Sequence, residues 1–386
     1  MNLLSGVEQD FHRPQKSPGA YEWWHFDGTD ETSGYAFVIQ FHAGNLFSAY
    51  YQDSLRTYWE KTKSPLVDSS RHPEPPNPPA VSPPNPLDYC GVSFRLFHKG
   101  AMVVESLQEF SQKSLKASDK QGAVLLGPNR FNWDQRGDPP SYVLTAQAPL
   151  PGGKTTVRAR LFFTPQLRTS PSLPQPEIPS THTWVLAAPL CHVEGTLEWV
   201  DREGESGRTV GFVGKGYHDH HFGSVPLDRF VKSWHWGRAF LQEKTLVYSL
   251  LIPADPRESS QGFFWNTGPA GTQAWNVAFK PSRKRWNFFA LPCQRKLEFV
   301  DADSLRIDHR QVLSDGPVQL VFGDKIRWVS EGKAEEGTGL SNYLYAPRLS
   351  SRLFFPLLKG KSLIVRPAEI EAPPPSDDVS TTRPAP

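Results

Sequence analysis

Tyr142-Val143-Leu144-Thr145-Ala146-Gln147-Ala148, then Pro151-Gly152-Gly153-Lys154, then Thr155 to Phe163 (TTVRARLFF) read as strand, turn and strand. Apolar residues recur every second position on both sides of a Pro-Gly turn, which is the pattern of a half-buried β-hairpin. The same alternation recurs outward from this hairpin. Tyr35 to His42 (YAFVIQFH), Val92 to His98, Leu246 to Ile252, Trp275 to Phe279, Ser304 to Asp308 and Val318 to Phe322 all read as strands. Stretches with helical apolar spacing are scarce. Short strands between clusters of Gly, Pro, Asp and Ser predict an all-β chain of sandwich or barrel type.

The chain has 386 residues, enough for two domains, and 38% of them are hydrophobic. Aromatic residues make up 12%, which can furnish an aromatic-lined cavity. Lys and Arg total 42 against 40 Asp and Glu, so the basic excess of a nucleic-acid binder is missing. Cys90, Cys191 and Cys293 are odd in number and far apart, which implies neither a disulfide framework nor a structural zinc site. The N-terminus has no basic segment followed by an apolar one, and no apolar run approaches a membrane span. A cytoplasmic protein is the expectation. His72 to Pro86 and Ser170 to Pro179 are too proline-rich for a ladder and read as loop insertions, and the tail from 367 to 386 reads as disordered.

Histidine is concentrated in one segment. His182, His192, His218, His220, His221 and His235 are interleaved with Trp184, Tyr217, Asp219, Trp234 and Trp236. Each alone could be a hydrogen-bonded core residue, but titratable groups gathered beside tryptophans point to a site. If Tyr217 to His221 is a strand, Tyr217, Asp219 and His221 share one face, and His218 and His220 the other. A carboxyl group facing an aromatic cavity would have its pKa raised, by about three units if it is to stay protonated near neutrality. Tryptophan faces could stabilise a nearby cation by about 2 kcal/mol each when dry. An acid among aromatics suits protonation of an unactivated alkene. His218 and His220 could instead ligate a metal with Asp219, but no standard metal-binding spacing accompanies them, and no metal is expected.

Four ordered motifs carry a resemblance. They are Tyr21-Glu22-Trp23-Trp24-His25-Phe26-Asp27; His182-Thr183-Trp184 with Ala187-Ala188-Pro189; Gly216-Tyr217-His218-Asp219-His220 with Phe222-Gly223 and Pro226-Leu227; and Trp234-His235-Trp236-Gly237-Arg238. Together they resemble the carotenoid 1,2-hydratases (hydroxyneurosporene synthases, CrtC), to which fungal decalin-forming pericyclases are related. The resemblance implies two consecutive lipocalin-like β-sandwich or barrel units, here 1–227 and 228–366, with a pocket at their junction. It implies a hydratase acting without a cofactor on a terminal double bond of a linear carotenoid or similar isoprenoid. Asp219 would be the acid, Trp184 and Tyr217 would face the tertiary cation, and His182 would handle water. Trp23, Trp24, His221, Trp234, Trp236 and Arg238 would contact the substrate. His221, in place of a small polar residue, and the long stretch from His182 to Tyr217 depart from the family pattern. A pericyclase or isomerase acting on a polyene, and a non-catalytic carrier of an apolar ligand, are the alternatives.

The segment from Arg348 to Lys361 sets Leu353, Phe354, Phe355, Leu357 and Leu358 between basic residues. It reads as a strand of the second unit or as a shallow membrane contact, and the two differ in the exposure of Phe354 and Phe355.

Overall fold

The computed structural model describes residues 1–62, 82–167, 181–241, 244–268, 271–280, 282–300, 304–330, 332–359 and 362–364. Residues 72–81 and 170–179 of the proline-rich stretches and the tail 367–386 lie outside them.

The strands form two large sheets. The first contains β1 (Asn2–Ser5), β2 (Tyr21–Asp30), β3 (Tyr35–Ala43), β4 (Cys90–His98) and β5 (Ala101–Phe110). It continues with β6 (Leu115–Ala117), β7 (Ala123–Leu126), β8 (Asn129–Asp134), β9 (Ser141–Pro149), β10 (Thr155–Pro165), β11 (His182–Asp201) and β12 (Ser206–Gly223). The second contains β13 (Val231–Phe240), β14 (Thr245–Pro253), β15 (Gln261–Gly268), β16 (Gly271–Asn276) and β17 (Ala278–Lys280). A small separate ribbon, β18 (Lys284–Trp286) with β19 (Pro292–Gln294), precedes the remainder of that sheet. This remainder is β20 (Lys296–Val300), β21 (Ser304–Asp315), β22 (Gln319–Ser330) and β23 (Lys333–Tyr345). Finally β24 (Ser362–Ile364) returns to the first sheet and pairs in parallel with β5. The architecture is all-β, with two barrel-like, lipocalin-like units.

The first sheet runs β5-β4-β3-β2-β12-β11-β10-β9 in its main part. It curls until Gln108 of β5 donates from Nε2 to the carbonyl of Gln147 on β9. Trp24, Phe26, Phe41, Phe131, Leu144 and Phe163 fill its interior. Its outer face at β2, β11 and β12 packs on the second sheet through Trp23, Trp184, Trp234, Trp236, Trp265 and Phe263. β2 is therefore buried on both faces, which is why its first half, Tyr21 to Phe26, carries rings on both faces rather than alternating with polar residues.

The expected hairpin pairs as read, with Val157 opposite Ala148 and Phe163 opposite Tyr142. Two expectations need correction, and one helix was not expected. Trp275 to Phe279 is not one strand: the chain leaves β16 after Asn276 and begins β17 at Ala278. Ala49–Thr62 is a helix, α1, that buries only Ala49, Tyr51, Gln52 and Leu55; so narrow an apolar stripe leaves little periodic signal. The segment after Arg348 is helical rather than a strand, with a single 3-10 turn at Arg352–Phe354 and a short helix α2 (Phe355–Lys359). Phe355 is buried there, whereas Leu353 and Leu357 are exposed. All three cysteines are buried and free. Among the described residues no helix is long and apolar enough to cross a membrane.

Candidate active site

β12 is the central element of the site. Tyr217, Asp219 and His221 point toward the junction with the second sheet, while His218 and His220 point into the first barrel. Its neighbours are β2 and β11: Asp219 lies opposite His25, His221 opposite Trp23, and Trp184 opposite His221. Gly223 is needed at the end of β12, because a Cβ there would sit 2.5 Å from the Tyr21 ring.

Asp219 is fully buried, and its two carboxylate oxygens differ sharply. Oδ2 accepts from Trp184 Nε1 at 2.9 Å and from Tyr217 OH at 2.7 Å. His221 Nε2 lies 3.3 Å from the same oxygen, an ion-pair contact without hydrogen-bond alignment. Oδ1 has no partner among the described residues. Behind His221, its Nδ1 is 3.2 Å from His182 Nε2, and His182 Nδ1 is 2.8 Å from Tyr21 OH. With a carboxylate 3.3 Å from Nε2, the neutral His221 ring keeps its proton on that nitrogen, and its Nδ1 accepts from His182 Nε2. His182 Nδ1 then accepts from Tyr21. The donors of Tyr21, His182 and His221 thus all point along one chain toward Asp219.

The walls are aromatic. His221 is sandwiched between Trp23, with ring centroids 4.5 Å apart, and Trp184, 5.1 Å apart. Trp234 stands edge-on to both His221 and Trp184, and Trp236 packs on Trp234 at 4.5 Å. Trp234 Nε1 is satisfied by Ser249 Oγ at 2.8 Å.

The electrostatics correct one expectation. Burial alone would raise the pKa of Asp219, but the charge and contact of His221, the charge of His25 and the Tyr217 hydroxyl outweigh it, and the value falls to about 2. Asp219 is a carboxylate at rest, not a standing acid. Burial lowers the pKa of His182 well below the usual imidazole value; burial also lowers that of His221, partly offset by Asp219.

The six clustered histidines divide among four environments. His182 and His221 belong to the junction. His218 Nε2 contacts Asp10 Oδ2 at 2.8 Å inside the first barrel, and His220 Nε2 contacts Glu22 Oε1 at 2.9 Å. His220 is pushed up to about 9 by those two carboxylates, against the opposing effect of burial. His192 is on the surface beside Glu194. His235 faces the interior of the second barrel, against Tyr343 and His309. Among the described residues no group of three or more His, Cys, Asp or Glu side chains has the arrangement to hold a metal.

Trp24 lies apart from Asp219, on the opposite face of β2, stacked on His220 at 4.7 Å. Arg238 is at the junction, but its guanidinium is taken up by Asp27, with Nε 2.8 Å from Oδ1. That ion pair ties β13 of the second sheet to β2 of the first.

Several residues of the site escape a reading of the sequence. A cross-strand ladder runs from Asp219 to His25 on β2, Gln40 on β3 and Ser93 on β4. Ser93 Oγ donates to Gln40 Oε1 at 3.3 Å, and Gln40 Nε2 donates to His25 Nδ1 at 3.2 Å. His25 must then carry its proton on Nε2, which faces Asp27 Oδ2 at 3.1 Å. The far rungs open into a cavity of about 280 Å³ between the sheets. Gln40, His42, Phe47, Ser93, Arg95 and Glu105 line one side of it, and Val318, Gln319 and Leu358 line the other. Asp219 is not part of its wall: His25 and Trp23 stand between. Alternation along β3 and β4 would have marked Gln40, His42, Ser93 and Arg95 as polar residues on one face, but not which face.

Residues 79–318 match the family model of the carotenoid hydratase CrtC. The chain is 29% identical to the hydroxyneurosporene dehydrogenase of Chlorobaculum tepidum, over 92% of this chain and 90% of that protein. It is 25% identical to the acyclic carotenoid 1,2-hydratase of Thiocapsa roseopersicina over 58% of this chain, an alignment that spans 45% of that enzyme. The crystal structure of an AttH protein from Nitrosomonas europaea superposes with a TM-score of 0.52 at 16% identity, covering 88% of this chain and 95% of that one. That likeness concerns the fold alone. The family match spans more than half of the sequence and includes the strands that carry Trp184, Tyr217, Asp219 and Trp234, so this chain belongs to the carotenoid hydratase CrtC family and is an enzyme of the hydro-lyase type.

Proposed function

We propose that the enzyme adds water across a terminal double bond of an acyclic isoprenoid of carotenoid type, giving a tertiary alcohol without a cofactor. The observation that carries this reading is the buried Asp219 carboxylate, anchored through Oδ2 and unpaired at Oδ1, inside a wall of tryptophans.

Because Asp219 is ionised at rest, the proton comes to it from behind. Protonated His221 passes a proton to Oδ2, the carboxylate oxygen it contacts, and the carboxylic acid so formed delivers that same proton to the terminal alkene carbon. The π pair becomes the new C–H bond, and the adjacent tertiary carbon becomes a cation. Trp23, Trp184 and Trp234 stabilise it by about 2 kcal/mol for each well-placed face, and the restored carboxylate adds to this. Water attacks the cation, and its surplus proton returns through His182 to His221, so atoms and charge balance over one turnover. Tyr217 and Trp184 hold Asp219 in place throughout. Trp236 supports Trp234, and Trp23 separates the site from the junction cavity.

The test is incubation of the pure protein with neurosporene or lycopene in detergent, in heavy-oxygen water. A product heavier by one labelled water supports hydration, and Asp219→Asn should abolish it. A rearranged polyene of unchanged mass would favour the isomerase reading. Loss of two hydrogens would favour the reaction in the Chlorobaculum relative's name. Turnover that survives exhaustive dialysis against a chelator supports independence from a metal cofactor.

We also propose that exposed Leu353, just before α2, and Leu357, within it, provide a shallow contact with the membrane that holds so apolar a substrate. Leu358 of the same helix lines the junction cavity, so this contact would lie at the cavity entrance.

A further inference from the structure

The junction cavity is more polar than a hydrocarbon requires. Arg95, on β4, enters it with Nη2 3.4 Å from Gln319 Oε1 and Nε 3.5 Å from Glu105 Oε1. Nη1 is buried and has no hydrogen-bond partner among the described residues. A hydrocarbon threaded through this cavity would leave that donor unpaired in a low dielectric, which is costly for a charged group. Glu105 already neutralises the guanidinium, so the vacancy suits a neutral oxygen acceptor better than an anion. His42 beside it is held neutral by burial, its pKa lowered to about 3, and so adds no positive charge.

Arg95 is on the rung that runs from Tyr217 through Asp27 and Val38, three strands away. Three inter-strand spacings and the offset of Asp219 along β12 put roughly 15 Å between the Arg95 and Asp219 positions. A full-length carotene is about twice that long, so its apolar middle, not its far end, would meet Arg95.

We propose that Arg95 selects the substrate: the enzyme prefers an isoprenoid bearing a ketone or hydroxyl about this distance from the reacting double bond. This rests on the hydration reading in taking Asp219 as the reacting end. The oxygen accepts a hydrogen bond from Arg95 Nη1, Gln319 and Glu105 fix the orientation of the guanidinium, and the prenyl chain passes Gln40 toward Asp219, turning aside the His25 and Trp23 side chains that close the cavity off from it in this structure.

Farnesylacetone is a suitable probe, since its carbonyl and its terminal double bond are separated by about the required distance when the chain is extended. It is compared with the hydrocarbon of the same skeleton that lacks the carbonyl. Binding is followed by quenching of tryptophan fluorescence, and turnover by mass gain of water. The wild-type enzyme should bind the ketone at least about ten-fold more tightly and hydrate it with a correspondingly higher kcat/KM. Arg95→Met should erase the preference, and Arg95→Lys should restore only part of it. Equal affinity of the wild-type enzyme for ketone and hydrocarbon would overturn the proposal without any variant being made. Tight, Arg95-dependent binding of the ketone with no water added to either compound would leave this inference standing and sink the hydration reading. Hydration of both compounds at the same rate would do the reverse.

Discussion

Trp184 and Asp219, 35 residues apart in sequence, are joined by a hydrogen bond of 2.9 Å from the indole Nε1 to the carboxylate Oδ2. Trp184→Phe keeps most of the aromatic face and removes this donor. A hydrogen bond to a buried charge contributes about 1.5–3 kcal/mol, so urea denaturation should show a loss of that size. The hydration rate should fall at least ten-fold, roughly the effect of misplacing a catalytic group. Wild-type rates in Trp184→Phe would show that the bond serves only the fold.

The pH dependence of turnover should follow His221. Its folded pKa lies below 6.5, because burial disfavours the charged ring more than Asp219 favours it. The protonated, proton-delivering form therefore accumulates only as pH falls below 6.5. Asp219 stays ionised until about pH 2 and contributes no step in between. Initial rates should rise on the acid side of neutrality, and His221→Gln should remove that limb. A rate that falls steadily over the same interval would contradict His221 as the donor.

Stability should show an opposite limb on the alkaline side, from His220. Its folded pKa of about 9 lies above the usual 6.5, so its contribution is complete below pH 6.5 and is lost as pH rises through about 9. A shift of that size corresponds to roughly 3 kcal/mol. Glu22 and Asp10 have lowered values and act in the reverse sense, losing their contribution as pH falls below the ordinary carboxylate range. Chemical denaturation between pH 6 and pH 10, at about unit steps, should show the decline. His220→Asn should lower stability overall and flatten this slope.

The ion pair of Arg238 and Asp27 can be tested by a double-mutant cycle. Arg238→Met leaves Asp27 buried with only His25 to pair it, at a cost of about 3–5 kcal/mol. Asp27→Asn together with Arg238→Met should recover a large part of that loss, since no uncompensated charge remains. Additive losses would mean that the two residues act independently.

Co-sedimentation with anionic vesicles tests the membrane contact. Binding at low salt should weaken with salt and with Leu353→Ser plus Leu357→Ser. Phe355→Ser is the wrong probe, because Phe355 is buried under Arg56 and its loss would damage the fold instead. A wild-type protein that never sediments with vesicles at low salt would end the proposal.

The all-β class and the division of β12 into two faces were legible in the sequence, because a period of two needs no knowledge of partners. The state of Asp219 was not. Its aromatic surroundings were visible, and they argue for a raised pKa. The side chains that reverse the sign, His221 two residues on and His25 across the sheet, act through an orientation that only the β2-β12 register fixes. Arg238 was readable as a residue of the junction, but Asp27, which occupies it, arrives from the first sheet. Arg95 and His42 lay in ordinary strand sequence with no motif to set them apart. The helix of Ala49–Thr62 was hidden because polar residues interrupt its buried face.

A strand committed on both sides has no slack in its length. Deleting Gly216, or inserting one residue between Gly216 and Tyr217, would exchange the two rooms that β12 serves: His218 and His220 would turn toward the tryptophans, and Asp219 would face Asp10 and Glu22. The barrel would then hold three carboxylates together, and the junction would receive imidazoles in place of its acid-base pair. Descendants of this gene can therefore tolerate lengthened loops, including the turn between Asp201 and Ser206, far more readily than a single-codon change within that strand.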